Sequence, residues 1–317
     1  MLACQLSLWF PVAVNTVAVE SAGDAGVPIC AGRVTVVTGA GQGLGRAHAL
    51  ELARQGSRVV VNDMGGSAAE TVSQIRAAGG EAVACPGDVS DWEFGAELVR
   101  TAVQTFGALD AVVNNAGINR DRMLATMSER EWDDVLRVNL KGHFVPMRHA
   151  IDYWRAEAKA GRPRAARVVN TSSGAGLMGS VGQGNYAAAK AAIAALGIVA
   201  GTEWGRYGVL VNSIAPSART PMTEQVFAEM MARPESGFDA MDPANVSPVV
   251  AWLASERATV TGLMFEAEGG RLSIADGWRH GQAIDLGRRF EPAELDEVVG
   301  RLVASAEPPT PVYGSAG

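Results

Sequence analysis

Val34-Thr35-Val36-Val37-Thr38-Gly39-Ala40-Gly41-Gln42-Gly43-Leu44-Gly45 carries the strongest fold signal in the chain. A short β-rich run passes directly into glycines, and a helical pattern follows from Leu44 to Gln55. The spacing is T-G-x-x-x-G-x-G rather than G-x-G-x-x-G, because Arg46 stands where the last glycine of the second pattern would fall. Both spacings share their physics. Glycines permit a tight turn, let backbone N–H groups approach a pyrophosphate, and place that anion at a helix N-terminus. A strand before the turn and an amphipathic helix after it strengthen the reading beyond the glycines alone.

Working outward, strands and helices alternate. Arg58–Asn62, Glu81–Cys85, Leu109–Val113, Arg167–Thr171, Val209–Ser213 and Leu263–Glu266 read as further short buried strands. Helical patterns lie between them, including Ala68–Ala78, a long run from Glu129 to about Lys159, and an alanine-rich stretch from Tyr186 to Trp204. Buried strands alternating with helices predict an α/β, doubly wound parallel sheet covered on both faces. No repeat or polar linker divides the pattern, so a single domain over residues 27–270 is expected.

The 317 residues are 48% hydrophobic and 19% charged, enough apolar material for a substantial core. The net charge of −7, with no basic block, argues against nucleic acid as a partner. Cys4, Cys30 and Cys85 fit neither a disulfide framework nor a metal spacing, so no metal is expected and a reducing cytoplasm is. His48, His143, His149 and His280 read as ordinary surface or core histidines. Residues 1–26 have no Lys or Arg, and Pro11 and Asn15 interrupt their apolar run. A secretory signal and a membrane span both fail on that pattern, leaving a disordered leader or a start-site artefact. Residues 271–317 read as an extension, part helical over Pro292–Ala304. Its apolar face of Leu295, Val298, Val299 and Leu302 is expected to dock on the core or at an oligomer interface.

Asp63 ends the second strand, where a carboxylate can accept hydrogen bonds from both hydroxyls of an adenosine ribose and repel a 2′-phosphate. Gln42 is neutral where an arginine could have bound that phosphate. Both positions favour NAD over NADP. Asp88, after the third strand, is placed to meet the adenine amino group, and Asn114-Asn115-Ala116-Gly117 follows the fourth strand into the crevice. Tyr186 and Lys190 are four apart on one helical face. Tyrosine needs a pKa drop of ~3 units, or about 4 kcal/mol, to act as a base near neutrality. One ammonium at ~4 Å in an effective dielectric of ~20 supplies about that much. Ser173, thirteen residues before Tyr186, can hydrogen-bond a substrate oxygen.

Taken in order, Thr38–Gly45, Asp63, Asp88, Asn114–Gly117, Asn139, Ser173, Tyr186 and Lys190 resemble the short-chain dehydrogenase/reductase family over residues 33 to 270. The resemblance implies a Rossmann-type sheet of seven parallel strands and assembly as dimers or tetramers through two long helices. It implies Tyr186 as acid/base, Ser173 as orienter of the substrate oxygen, and Lys190 as activator of the tyrosine and ligand of the nicotinamide ribose. Asn139 would hold the water that links Lys190 to solvent. The cofactor contacts it implies come from Gly39, Gln42, Gly43, Leu44 and Gly45 in the turn, and from Asp63, Asp88 and Val89 beyond it. Asn115, Ala116 and Gly117, then Tyr186, Lys190 and Pro216, complete them.

There are departures. The family's Pro-Gly after the sixth strand is Pro216-Ser217, the connection Arg155–Arg167 is long, and the chain continues past Gly270. Within the family, Val61–Gly66, Asn119–Arg122, Gly182–Tyr186 and Ile214–Thr220 resemble one branch. It holds the (3R)-hydroxyacyl-CoA dehydrogenase unit of the peroxisomal multifunctional β-oxidation enzyme and bacterial 17β-hydroxysteroid dehydrogenase-like relatives. That resemblance implies NAD and a bulky, largely apolar secondary alcohol, either acyl-CoA or steroid. Met222, Val226, Phe227, Met230, Met231, Phe238 and Met241 read as a methionine-rich lid that could mould to it. Arg120, Arg122 and Arg219 are candidates for the CoA phosphates. An NADPH-dependent 3-oxoacyl reductase and a non-catalytic NAD-sensing protein stand as alternatives.

Overall fold

The computed structural model describes residues 27–224, 231–275, 277, 281–289 and 291–306. The leader expected over residues 1–26 lies outside them. Strand β1 (Val34–Val37) enters the glycine turn and helix α1 (Gly43–Arg54), and β2 (Arg58–Val61) leads to α2 (Ser67–Ala77). Then come β3 (Ala82–Ala84), α3 (Trp92–Phe106) and β4 (Ala111–Asn114). Helix α4 (Glu129–Val135) runs through a π-helical turn, Leu136–Lys141, into α5 (Gly142–Lys159). Strand β5 (Arg167–Thr171) is followed by the short α6 (Gly174–Met178) and the long α7 (Gly184–Trp204). Strand β6 (Leu210–Ser217), α8 (Pro221–Glu224), α9 (Ser247–Ala254), β7 (Met264–Glu268) and β8 (Arg271–Ile274) close the sheet domain.

The sheet order is β3-β2-β1-β4-β5-β6-β7-β8, with seven parallel strands and β8 antiparallel at the edge. The seven-stranded sheet expected from sequence is therefore an eight-stranded one of the same class. The added strand comes from a two-residue turn, Gly269-Gly270, with Gly269 at φ +52, which folds the chain back on β7. The sheet thus runs past residue 270, and the sheet unit extends to Ala275.

One apolar layer packs Leu52, Ile75, Val113, Val169, Val250 and Leu253 between the sheet and α1, α2 and α9. The other packs Leu98, Val112, Met147, Trp154, Val168 and Ala200 between the sheet and α3, α5 and α7. Strands buried on both faces read as continuous apolar runs because neither face meets water. Helix α7 is long and apolar enough by length and composition to span a membrane. Here it packs against the sheet, burying Ile193, Gly197 and Gly201. A side chain at Gly197 would stand 2.7 Å from Ser213 Oγ, so small residues let this helix lie close on β6.

The residues from Asp276 onward fall in a separate unit. Its helix α10 (Leu295–Ser305) follows a 3₁₀ turn at Pro292–Glu294 whose Glu291 and Glu294 form a reciprocal cap. Leu295 and Val299 on its apolar face are exposed.

Candidate active site

The carboxyl ends of β1, β2 and β4 meet around the glycine turn. Gly39 sits at φ +61, and a Cβ there would lie 2.7 Å from Ala116 Cα, so the loop after β4 touches the turn directly. Thr38 Oγ1 accepts from the Asn115 and Ala116 amides at 3.0 and 3.1 Å, and Asn115 Nδ2 donates to the Thr38 and Gly39 carbonyls. A Cβ at Gly45 would stand 2.1 Å from the Gly39 carbonyl oxygen, which is why the first turn of α1 needs glycine. Gln42 caps α1 with no side-chain hydrogen bond, leaving the helix start without a built-in acceptor. That is the arrangement a pyrophosphate fits.

Asp63 Oδ2 accepts the Gly41 amide at 2.9 Å and Oδ1 accepts the Met64 amide at 2.8 Å. A Cβ at Gly41 would collide with Ser67 Oγ and Asp63 Oδ2, at 2.1 and 2.7 Å. Glycine there makes room for the carboxylate beside the turn. Asp88 receives the Ser90 amide and hydroxyl at 2.8 and 2.6 Å and pairs with Arg137 at 2.7 Å. Burial works against its charge, but the bonds from Ser90 and Arg137 outweigh it and hold the carboxyl below the usual range. Val89 is buried beside Gly142, Leu44 is half-buried in the core layer of α1, and Pro216 lies in β6 opposite Ala267.

Lys190 is 2% exposed, and its Nζ donates to the Thr171 carbonyl at 2.7 Å. It lies 5.4 Å from the centre of the Tyr186 ring. Burial lowers the ammonium to about 7, since no carboxylate offsets the lost hydration. Asn139 occupies the π-helical turn, fully buried. Its side chain accepts the Ile118 amide at 2.7 Å and donates to the Ile118 carbonyl at 3.0 Å. A Cβ at Gly117 would stand 3.3 Å from Asn139 Oδ1 and 3.7 Å from Lys190 Nζ. Gly117 therefore lies against Asn139 and close to Lys190. Ser173 caps α6, its Oγ accepting the Ala175 amide at 3.2 Å. Ser172 Oγ instead donates to the Lys190 carbonyl inside the fold.

Two buried groups lie beneath the site. His143 lies one helical turn beyond Asn139, and both ring nitrogens are buried without hydrogen-bond partners. Burial, then the Lys190 charge, pushes its protonation well down, although the carbonyls of Asn139, Thr171 and Asn114 face the ring. Asn114 Nδ2 donates to Asn170 Oδ1 at 2.9 Å across β4 and β5, a polar brace beneath the site.

The three rim arginines are only partly available. Arg122 grips Glu131 at 2.9 and 3.1 Å, and Arg120 lies 3.9 Å from Asp134. Arg219 is buried and turned inward, which contradicts its placement at the rim. Of the lid residues, Met231 is buried and Phe238 exposed. Val226, Phe227 and Met230, and the side chain of Met222, lie outside what is described.

A dinucleotide cradle that opens onto a tyrosine–lysine pair defines a nicotinamide-dependent oxidoreductase. The short chain dehydrogenase family model matches residues 33–231, and the chain belongs to that family. A hydroxyacyl-CoA dehydrogenase of Mycobacterium tuberculosis, ChsB1, is 45% identical over 87% of this chain and 90% of its own length. The mouse peroxisomal multifunctional enzyme type 2 is 41% identical over 75% of this chain. The match spans only 32% of that longer protein. The crystal structure of a short chain dehydrogenase from Mycobacterium avium superposes with a TM-score of 0.84 at 57% identity. That match covers 90% of this chain and all of the other.

Proposed function

We propose that the protein oxidises the 3-hydroxyl of a (3R)-3-hydroxyacyl thioester of CoA with NAD. The reaction class rests on one observation: the Lys190 ammonium is buried against the Tyr186 ring, and the Asn139 turn joins it. NAD, when bound, supplies the hydride acceptor. Tyr186, as phenolate, takes the hydroxyl proton, and Ser173 Oγ hydrogen-bonds the same oxygen as it becomes a carbonyl. Lys190 favours the phenolate by its charge and returns the proton toward solvent past Asn139.

Asp63 beside Gly41 and the exposed Gln42 support NAD over NADP, because neither offers a cation to a 2′-phosphate. The same residues weigh against an NADPH-dependent 3-oxoacyl reductase. The named relatives support the acyl-CoA class. Arg120, half-exposed, remains available for a CoA phosphate. The buried free thiols Cys30 and Cys85 support a reducing, cytoplasmic setting. Ile198 and Val199, exposed on α7, support a homodimer or homotetramer formed through the long helices.

The test is steady-state turnover of a medium-chain (3R)-3-hydroxyacyl-CoA, a 17β-hydroxysteroid and a small secondary alcohol, each with NAD and with NADP. The expected result is NADH formation with the thioester at a kcat/KM orders of magnitude above that of the small alcohol. Equal turnover of the small alcohol would refute the substrate, and absence of any turnover would favour a cofactor-sensing protein.

A further inference from the structure

Arg219 leaves β6 at the end of the sheet where cofactor and substrate meet, yet only 6% of its side chain is exposed. Its guanidinium grips the Asp239 carboxylate through both terminal nitrogens and donates to the Met231 carbonyl at 3.1 Å. Its own amide donates to the Met241 carbonyl at 2.7 Å. Asp239 is in turn held in place: its Oδ1 accepts the Met241 amide at 3.2 Å, and its carbonyl accepts Asn245 Nδ2 at 2.8 Å. Ala240 rests on the turn after β7, where a Cβ at Gly269 would lie 3.1 Å from it. The Arg219 side chain therefore ties Met231 and Asp239 to the end of β6, and the neighbouring Ala240 packs on the turn after β7.

The next residue extends the consequence to the cofactor. Thr220 lies over the glycine turn, its side chain 3.4 Å from where a Cβ of Gly43 would be. Its amide donates to Thr223 Oγ1 at 2.8 Å, so the turn it belongs to is internally braced. Any slack at Arg219 reaches Thr220 through a single peptide link, and reaches Met231 and Met241 through direct bonds.

We propose that Arg219 is a positioning residue, not a phosphate ligand. Clamped to Asp239, it holds residues 231–241 and Thr220 over the carboxyl end of the sheet and so sets the affinity for both cofactor and substrate. The substrate half of this statement rests on the acyl-CoA reading; the cofactor half does not. Arginine suits the task because its planar fork meets a carboxylate bidentately while a second edge serves a carbonyl.

The experiment uses the full chain with Arg219→Met, Arg219→Lys and Asp239→Asn. It measures NADH Kd by fluorescence, and kcat and KM with a medium-chain (3R)-3-hydroxyacyl-CoA and with the matching N-acetylcysteamine thioester, which carries no phosphate. Arg219→Met and Asp239→Asn are expected to raise NADH Kd and both thioester KM values by about 10-fold, the order set by losing one charge-assisted bond. kcat should stay within about threefold, and Arg219→Lys should recover part of the loss. The two roles for Arg219 predict opposite signs for Asp239→Asn. A phosphate ligand freed from its carboxylate would bind the CoA thioester more tightly, and that result would overturn the proposal. Unchanged Kd and KM with a lowered Tm would also overturn it, showing a purely structural ion pair. If Arg219→Met fails to fold, Asp239→Asn decides alone, since it leaves the bond to the Met231 carbonyl in place. If wild-type enzyme turns over neither thioester, the substrate reading fails and NADH Kd still decides the clamp.

Discussion

Lys190→Met removes the cation that makes Tyr186 a usable base, and the structure gives the size of the loss. With 5.4 Å from the ammonium to the ring centre, Coulomb's law at an effective dielectric of ~20 yields about 3 kcal/mol. That corresponds to about 2 pH units. The positive nicotinamide ring, when bound, adds to the same stabilisation of the phenolate. The coupling is reciprocal: a phenolate raises Lys190 from its burial-lowered value of about 7, so the two groups titrate as a pair. The assay is kcat/KM for alcohol oxidation from pH 5.5 to 10.5, with NADH Kd measured on the same protein. The acidic limb of the variant should move up by about 2 pH units relative to wild type, on a lower plateau. A limb within half a unit of wild type, with NADH still bound, would refute the electrostatic role of Lys190.

Three further outcomes are expected. Asp63→Ser with Gln42→Arg should shift kcat/KM toward NADP by relieving one repulsion and adding one attraction, and a wild-type enzyme that already prefers NADP would contradict both assignments. His48 is fully buried and lowered to about 3, so its unfolded form binds the extra proton below pH 6.5. Stability should then fall by about 1.4 kcal/mol per pH unit as pH drops from 6.5 toward 3, and urea unfolding of His48→Gln should lack that part of the slope. The apolar face of α10 is proposed to dock on the core or at an oligomer interface, so deleting residues 291–317 should lower Tm or change the mass by light scattering. Neither change would mean that the face stays solvated.

What was legible in the sequence was local. Val34–Val37 and Arg167–Thr171 are fully buried runs, and burial on both faces is what keeps Val34, Val36, Val37, Val168 and Val169 in unbroken or nearly unbroken succession. The glycine turn and Tyr186–Lys190 each lie within one helical turn or loop, so spacing alone could find them. Strand β6 runs on to Ser217 rather than Ser213 because its last five residues pair with β7, a long-range ladder that local composition does not reveal. The expected unbroken helix over 129–159 contains a π-helical turn at Leu136–Lys141, which changes the backbone ladder without changing the apolar pattern. That turn carries Asn139. The Gly269-Gly270 pair was a readable hairpin signal for β8 and was missed. Arg219 misled for a different reason: its partner Asp239 is twenty residues away, and an arginine after a strand looks the same whether it faces solvent or a carboxylate.

Tyr186 is proposed to move the proton. Pre-steady-state NADH formation from a (3R)-3-hydroxyacyl-CoA, compared between wild type and Tyr186→Phe with NADH binding measured alongside, tests it most directly. The expected rate is at least ~100-fold lower in the variant, the lower range for a positioned acid/base, with NADH Kd unchanged. A Tyr186→Phe enzyme that forms NADH at close to the wild-type rate would contradict it.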